Sequence, residues 1–320
     1  MKTNSERREF IKMSLMAFAA QSIPFGAIGS VFPAVNRKFR MSLNPGAIGV
    51  RLTQEELLDA AVKYGFEAIV AYPSTIAGWT DPEIRDFTDK MKEKKISWDA
   101  AGLPVDFRKD TETFRKGMTE LTVSAAALQK AGVTRMSTWI MPTHAELTYL
   151  KNLKQHAERL MEAAKILGDH QIKLGLEYVG PKTLMASQKF SFVHTMPECA
   201  ELIDAIGEPN VGYQLDTFHW FCAGEKKEDL LSLRNDQVVT VDLNDARSGF
   251  TADEQIDSKR ELPVATGVID TRSFLDALVE IGYDGPVRAE PFNQALNDME
   301  NEQALQSTYN AMKKAFSLVG

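Results

Sequence analysis

Eight short runs rich in β-branched and aromatic residues recur along this chain, and between them apolar residues fall at three- and four-residue spacing. The runs are 39–50, 66–73, 96–107, 135–142, 172–179, 211–218, 238–244 and 286–292. Short apolar runs bounded by turn residues read as buried strands, and the periodic segments between them as amphipathic helices. The segment 52–65, LTQEELLDAAVKYG, carries Thr53 as an N-cap, Glu56 three residues on, and a closing glycine. Segments 148–170 and 270–285 read the same way. Eightfold alternation of strand and helix implies parallel βαβ units closed as a (β/α)8 TIM barrel, a single α/β domain. The main rival is an open doubly wound sheet, which normally has fewer strands and a glycine-rich nucleotide loop. Neither G-x-G-x-x-G nor G-x-x-x-x-G-K-[ST] occurs in the chain.

The first 36 residues do not fit the repeat. Paired arginines, Arg7 and Arg8, precede Phe10-Ile11-Lys12 and a mostly apolar stretch. This pattern resembles a twin-arginine export signal, and the apolar length suits a signal core better than a membrane span. The alternative is a short amphipathic helix of the mature protein. The resemblance divides the chain into an export signal, 1–36, and a barrel, 37–320. It implies a periplasmic or otherwise exported protein that meets the twin-arginine machinery and has no stable membrane anchor. A net charge of −7 argues against nucleic acid or an anionic membrane as partner. With only Cys199 and Cys222, neither a disulfide framework nor a thiolate metal site is expected.

Active sites of such barrels lie at the C-terminal ends of the strands. From the fifth strand onward those ends carry Glu177 in LGLEYVGP, Asp216 in YQLDTFHW, Asp242 in TVDLND and Glu290 in VRAEPFN. Four carboxylates converging without a cation would repel one another and drive their pKa values upward. A divalent metal resolves the conflict, and oxygen ligands favour Mg²⁺ or Mn²⁺. Alternation along a strand turns Arg288 inward with Glu290, Gln214 with Asp216, and Asn244 with Asp242. Arg288 is open between substrate contact and counter-charge for the acids. Asn244 is placed toward the substrate. Asp245 is open between the site and a structural cap. Trp220, Trp139 and Lys182 lie near strand ends, where an aromatic platform or a cation suits a sugar and where packing or plain exposure would serve equally. His144, His156 and His170 are read as loop or helix-surface residues, and His194 as part of the loop after the fifth strand.

At these motifs the chain resembles the xylose-isomerase-like TIM-barrel family, often labelled sugar phosphate isomerase/epimerase. GLEYVGP is similar to that family's fifth strand and LDTFHW to its D-x-x-H motif, while ELP…TGVIDTRSFLDALVEIGYDGPVRAEPF is similar to the stretch leading to its last metal glutamate. The resemblance implies metal ligation by Glu177, Asp216 and Glu290, with His219 facing the substrate. The family's seventh strand usually ends in histidine, and Asp242 stands at that place. The loop RELPVATGVID, 260–270, also departs from the family's Pro-Gly-Glu-x-Gly. The resemblance further implies Glu177 and Glu290 as an acid–base pair. The activity implied is a divalent-metal-dependent sugar isomerase or epimerase acting through an enediolate on a small carbohydrate. A 3-keto-glycoside lyase or hydrolase using the same metal and base is an alternative, and a non-catalytic exported sugar-binding barrel is another. Self-association as a homo-oligomer is left open.

Overall fold

The structure is a computed structural model and describes residues 37–319. The export-signal assignment of residues 1–36 lies outside the described residues. All eight expected strands form: β1 Arg40–Leu43, β2 Ala68–Ala71, β3 Ser97–Gly102, β4 Arg135–Trp139, β5 Lys173–Glu177, β6 Val211–Asp216, β7 Val238–Leu243 and β8 Pro286–Ala289. Each pairs in parallel with its neighbours in chain order, and β8 closes on β1 to complete the barrel. The strands are shorter than the β-rich runs because Pro and Gly cut them. After Leu43 the chain turns at Pro45–Ile48, and after Gly102 it meets Pro104.

Eight helices cover the barrel: α1 Gln54–Tyr64, α2 Asp81–Glu93, α3 Thr111–Lys130, α4 Tyr149–Asp169, α5 Met196–Ile206, α6 Lys227–Leu231, α7 Thr271–Glu280 and α8 Asn301–Phe316. The capping box read at Thr53 and Glu56 is present, and Gly65 ends α1 in the left-handed conformation that a Cβ disfavours. The apolar core lies between strands and helices. In β5, Leu174 and Leu176 are fully buried and alternate with Gly175 and Glu177, so one face packs and the other enters the barrel.

Two details of the sheet position the site. The β6–β7 register sets Asp216 opposite Asp242, with a bulge that leaves Val239 unpaired. The β7–β8 register sets Asp242 opposite Arg288. A two-stranded ribbon, Thr143–His144 with Phe190–Ser191, ties the loop after β4 to the loop after β5.

Candidate metal centre

Glu177 and Asp216 are the last residues of β5 and β6, Asp242 is the penultimate residue of β7, and Glu290 follows β8 directly. Each offers one carboxylate oxygen to a group in which all four lie within 4.8 Å of one another. Glu177, Asp216 and His219 form a second such group. His219 arrives on a short helix, Thr217–Cys222, that Asp216 itself caps. Its Oδ1 accepts from the backbone N–H of Phe218 at 2.6 Å and of His219 at 3.2 Å.

Two buried guanidiniums hold three of the four acids. Arg260, in the loop after β7, donates from Nη1 to Asp216 Oδ2 at 3.0 Å and to Glu290 Oε2 at 3.3 Å. Its Nη2 donates to Asp257 Oδ1 at 2.7 Å and lies 3.3 Å from His219 Nε2. A guanidinium cannot accept, so Nε2 is the acceptor and the ring proton sits on Nδ1. Burial, and then the charge of Arg260, holds the imidazole well below its ordinary pKa, so it is neutral. Phe292 and Phe218 flank the guanidinium, its carbon 4.5 Å and 5.0 Å from their ring centres. Arg288 grips Asp242 with two nitrogens, Nε to Oδ1 at 2.6 Å and Nη2 to Oδ2 at 3.2 Å, and Gln214 donates to Oδ2 at 2.8 Å. Asn244 bridges two acids: Nδ2 donates to Asp216 Oδ2 at 2.6 Å, and Oδ1 accepts the Glu290 N–H at 3.2 Å.

Four carboxylates facing two guanidiniums leave an excess of negative charge among largely buried side chains. Burial, then the charge of Asp242, pushes Glu290 up to about 8. Burial lifts Asp216 to about 7 although Arg260 opposes it. Glu177 rises well above the carboxylate range through burial and then the charges of Glu290, Asp216 and Asp242. Its Oε1 is buried and has no hydrogen-bond partner. An orphaned carboxylate oxygen beside other acids is a donor set that fits a divalent cation, and oxygen donors suit hard ions.

Glu177 and Glu290 border a cavity of about 350 Å³, a size that suits a small molecule, with Asp216 and Asp242 set behind its lining. Glu177, Arg288 and Glu290, with the amide of Gln214, form its polar side. The rest of the lining includes small residues of β2, β3 and β4, among them Val70, Ala71, Ala100, Gly102, Ser137 and Thr138, together with the larger Tyr72 and Trp139.

The structure thus gathers Glu177, Asp216, Asp242, Glu290, His219, Asn244 and Arg288 in one place. It does not bring Trp220 there: that indole packs edge-on against Phe274 and donates to the Lys226 carbonyl. Trp139 borders the cavity, half exposed, with Arg108 stacked 4.2 Å from its ring. Lys182 pairs with Asp253 away from the acids. Asp245 turns from the cavity and accepts the N–H groups of Ala246, Thr266, Gly267 and Ile269, which makes it the organiser of the loop bearing Arg260. His156 is not a surface residue. It is buried on the inner face of α4 between Phe107 and Phe192, and burial lowers it to about 4. Sequence reasoning did not single out Arg260, which follows Lys259 between Asp257 and Glu261 and looks there like one of two loop cations among acids.

A (β/α)8 barrel with acids converging at the ends of its last four strands defines a class that includes sugar isomerases and epimerases. The chain belongs to the xylose isomerase-like TIM barrel family, which matches residues 58–315. It is similar to the inosose isomerase of Bacillus subtilis (strain 168), with 28% identity over 172 residues, 52% of this chain and 58% of that protein. The match therefore spans less than two thirds of that relative. It is also similar to the ketose 3-epimerase of Arthrobacter globiformis, with 26% identity over 150 residues, 46% of this chain and 43% of that one. The solved structure of a xylose isomerase domain protein from Alicyclobacillus acidocaldarius subsp. acidocaldarius superposes with a TM-score of 0.76 at 26% identity, covering 88% of this chain and 99% of that one.

Proposed function

We propose that this barrel is a divalent-metal-dependent isomerase or epimerase of a small carbohydrate, working by proton transfer at the carbon next to a carbonyl. One observation carries the reading: Glu177 and Glu290 both front the cavity, from strands three places apart, so that two carboxylates face one substrate space from different sides. Carboxylates so placed suit acid–base exchange at a carbon held between them. The inosose isomerase and the ketose 3-epimerase among its relatives support this choice of reaction class.

A divalent cation held by the acid cluster supplies Lewis-acid stabilisation of negative charge on substrate oxygens. The remaining work falls to the chain. Glu177, ionised once a cation shares the cluster, takes the proton, and Glu290 returns one from its own side of the cavity. Arg260 fixes the Glu290 carboxylate and keeps His219 Nε2 as an acceptor, leaving the Nδ1 proton unpaired. Asn244 locks Asp216 and the Glu290 backbone in register.

The test is exchange of the substrate C–H with heavy water, followed by NMR on a panel of ketoses, inososes and 3-keto-glycosides with Mn²⁺ or Mg²⁺. Glu290→Gln should slow exchange by about 10²–10⁴-fold while leaving the unfolding transition in place. Full exchange in that variant would remove Glu290 from its role. A sugar-binding barrel without catalysis would exchange nothing, and a lyase would release an aglycone. We extend the proposal to export of residues 37–320 by the twin-arginine route. Its support is the Arg7-Arg8 motif, and fractionation of cells carrying Arg7→Lys/Arg8→Lys tests it.

A further inference from the structure

The two buried guanidiniums of the site are not equivalent. Every nitrogen of Arg260 is engaged: Nε donates to the Asp257 carbonyl at 2.9 Å, Nη1 to Asp216 and Glu290, and Nη2 to the Asp257 carboxylate. Arg260 does not line the cavity, and Arg288 does. Nε and Nη2 of Arg288 are committed to Asp242. Its Nη1 has no acceptor within hydrogen-bond distance among the described residues. Asp99 Oδ1 lies 3.7 Å away and takes the Thr240 hydroxyl at 3.1 Å instead. Nor is Nη1 sealed, unlike the unpartnered nitrogens of Arg40, Arg135 and Arg247, so it opens onto the cavity that Arg288 borders.

Gln214 is left open in the complementary way. Its Nε2 donates at 2.8 Å to Asp242 Oδ2, the oxygen that Arg288 Nη2 also holds. A carboxylate only accepts, so this bond fixes the amide with its NH₂ toward Asp242 and Oε1 turned away. Oε1 has no donor among the described residues and is not sealed, and Gln214 borders the same cavity. Two side chains anchored on one oxygen thus offer the cavity a free N–H and a free acceptor. Arg288 and Gln214 stand two residues before Glu290 and Asp216, on the same inward faces and about 7 Å deeper in the barrel. A hydroxyl oxygen can accept from Arg288 and a hydroxyl proton can go to Gln214. A methylene leaves either group unpaired, and a carbonyl or ether oxygen has no proton for Oε1.

We propose that Arg288 and Gln214 are specificity-determining residues that bind hydroxyls on the part of the substrate that enters deepest, Arg288 through Nη1 as donor and Gln214 through Oε1 as acceptor. The cavity then takes a polyhydroxy ketone that keeps its hydroxyls beyond the reacting carbon, and rejects deoxy analogues there. Asp242 anchors both groups whether or not it also touches a cation. This inference rests on the reading above that a small carbohydrate occupies the cavity.

The test uses the full chain with Mg²⁺ or Mn²⁺ and whichever of D-fructose, D-tagatose and 2-keto-myo-inositol exchanges fastest in heavy water, set against its monodeoxy derivatives. Wild type should disfavour the derivatives lacking the hydroxyls read here by about 10–100-fold in kcat/KM. Gln214→Met keeps the side chain's length and both Arg288 bonds to Asp242. It should shrink that discrimination to within about threefold at one position and keep it at the others. Arg288→Lys keeps a counter-charge for Asp242, loses the outward Nη1, and should do the same at one position. If the lysine variant does not fold, Gln214→Met decides alone. An unchanged pattern, or a loss shared evenly by the parent and every derivative, would make the pair mere supports of Asp242 and overturn the inference alone, with exchange by wild type intact. A wild type that exchanges none of the three parent compounds would overturn the carbohydrate reading and this inference together.

Discussion

Removing metal should make this protein less stable as pH rises from about 6.5 to 8, and restoring metal should flatten that slope. In the unfolded chain Asp216 and Glu290 titrate near 3.8 and 4.5, and in the folded metal-free chain at about 7 and about 8. Between those limits the folded state holds protons that the unfolded chain has released, so each rise in pH favours unfolding. Glu177, which burial and the neighbouring acids also raise, acts in the same direction. So does Glu225, which burial lifts to about 7, and His194, raised by its partner Glu198. The buried imidazoles His156 and His219 oppose this trend only below about 6.5, where the unfolded chain protonates them. One to two excess protons correspond to about 1.4–2.7 kcal/mol per pH unit, or about 2–4 kcal/mol across the window. Urea denaturation at half-unit pH steps, with chelator and with saturating Mn²⁺, measures both slopes. Calorimetry in buffers of different ionisation enthalpy should show about one to two protons released as Mn²⁺ binds. A metal-free slope of zero or of opposite sign, or a slope that metal leaves unchanged, would refute the electrostatic account of the cluster.

Three further outcomes follow from particular contacts. Asp245→Ala deprives four backbone N–H groups of their buried acceptor and should destabilise the fold by about 3–5 kcal/mol, with hydrogen exchange rising first across 260–270. Gly180→Ala would set a Cβ 2.4 Å from the His219 carbonyl oxygen, so the short helix must shift; turnover should fall at least about tenfold, and the crystal structure of the variant should show His219 displaced. Arg260→Met removes the cation shared by Asp216 and Glu290, so Mn²⁺ should bind more tightly by titration while the metal-free protein loses about 3–5 kcal/mol in urea.

The barrel and the four acids were legible because each strand announces itself locally and its C-terminal residue has a known place at the mouth. What escaped reading depends on contacts between distant segments. Arg260 reaches Asp216, 44 residues away, through a loop whose path is set by Asp245, and neither feature shows in a local pattern. His219 reads as facing the substrate and Trp220 as open between substrate and packing; adjacent helical residues point about 100° apart, so one turns inward and the other packs outward. The burial of His156 was open to reading: Asn152, Leu160, Ala163 and Leu167 share its helical face, and the polar label of histidine hid the spacing. The sequence departure at Asp242 was visible, but its counterpart, Arg288, becomes meaningful only once the β7–β8 register places the two side by side.

The small residues of β2, β3 and β4 share the cavity with a polar side that carries its charge. Shape and reactivity are thereby assigned to different halves of one barrel. A library confined to Val70, Ala71, Ala100, Gly102, Ser137 and Thr138 would remould the space offered to a ligand without touching an acid or a guanidinium. Such a barrel could change its menu of substrates through its first half while inheriting its chemistry intact through the second.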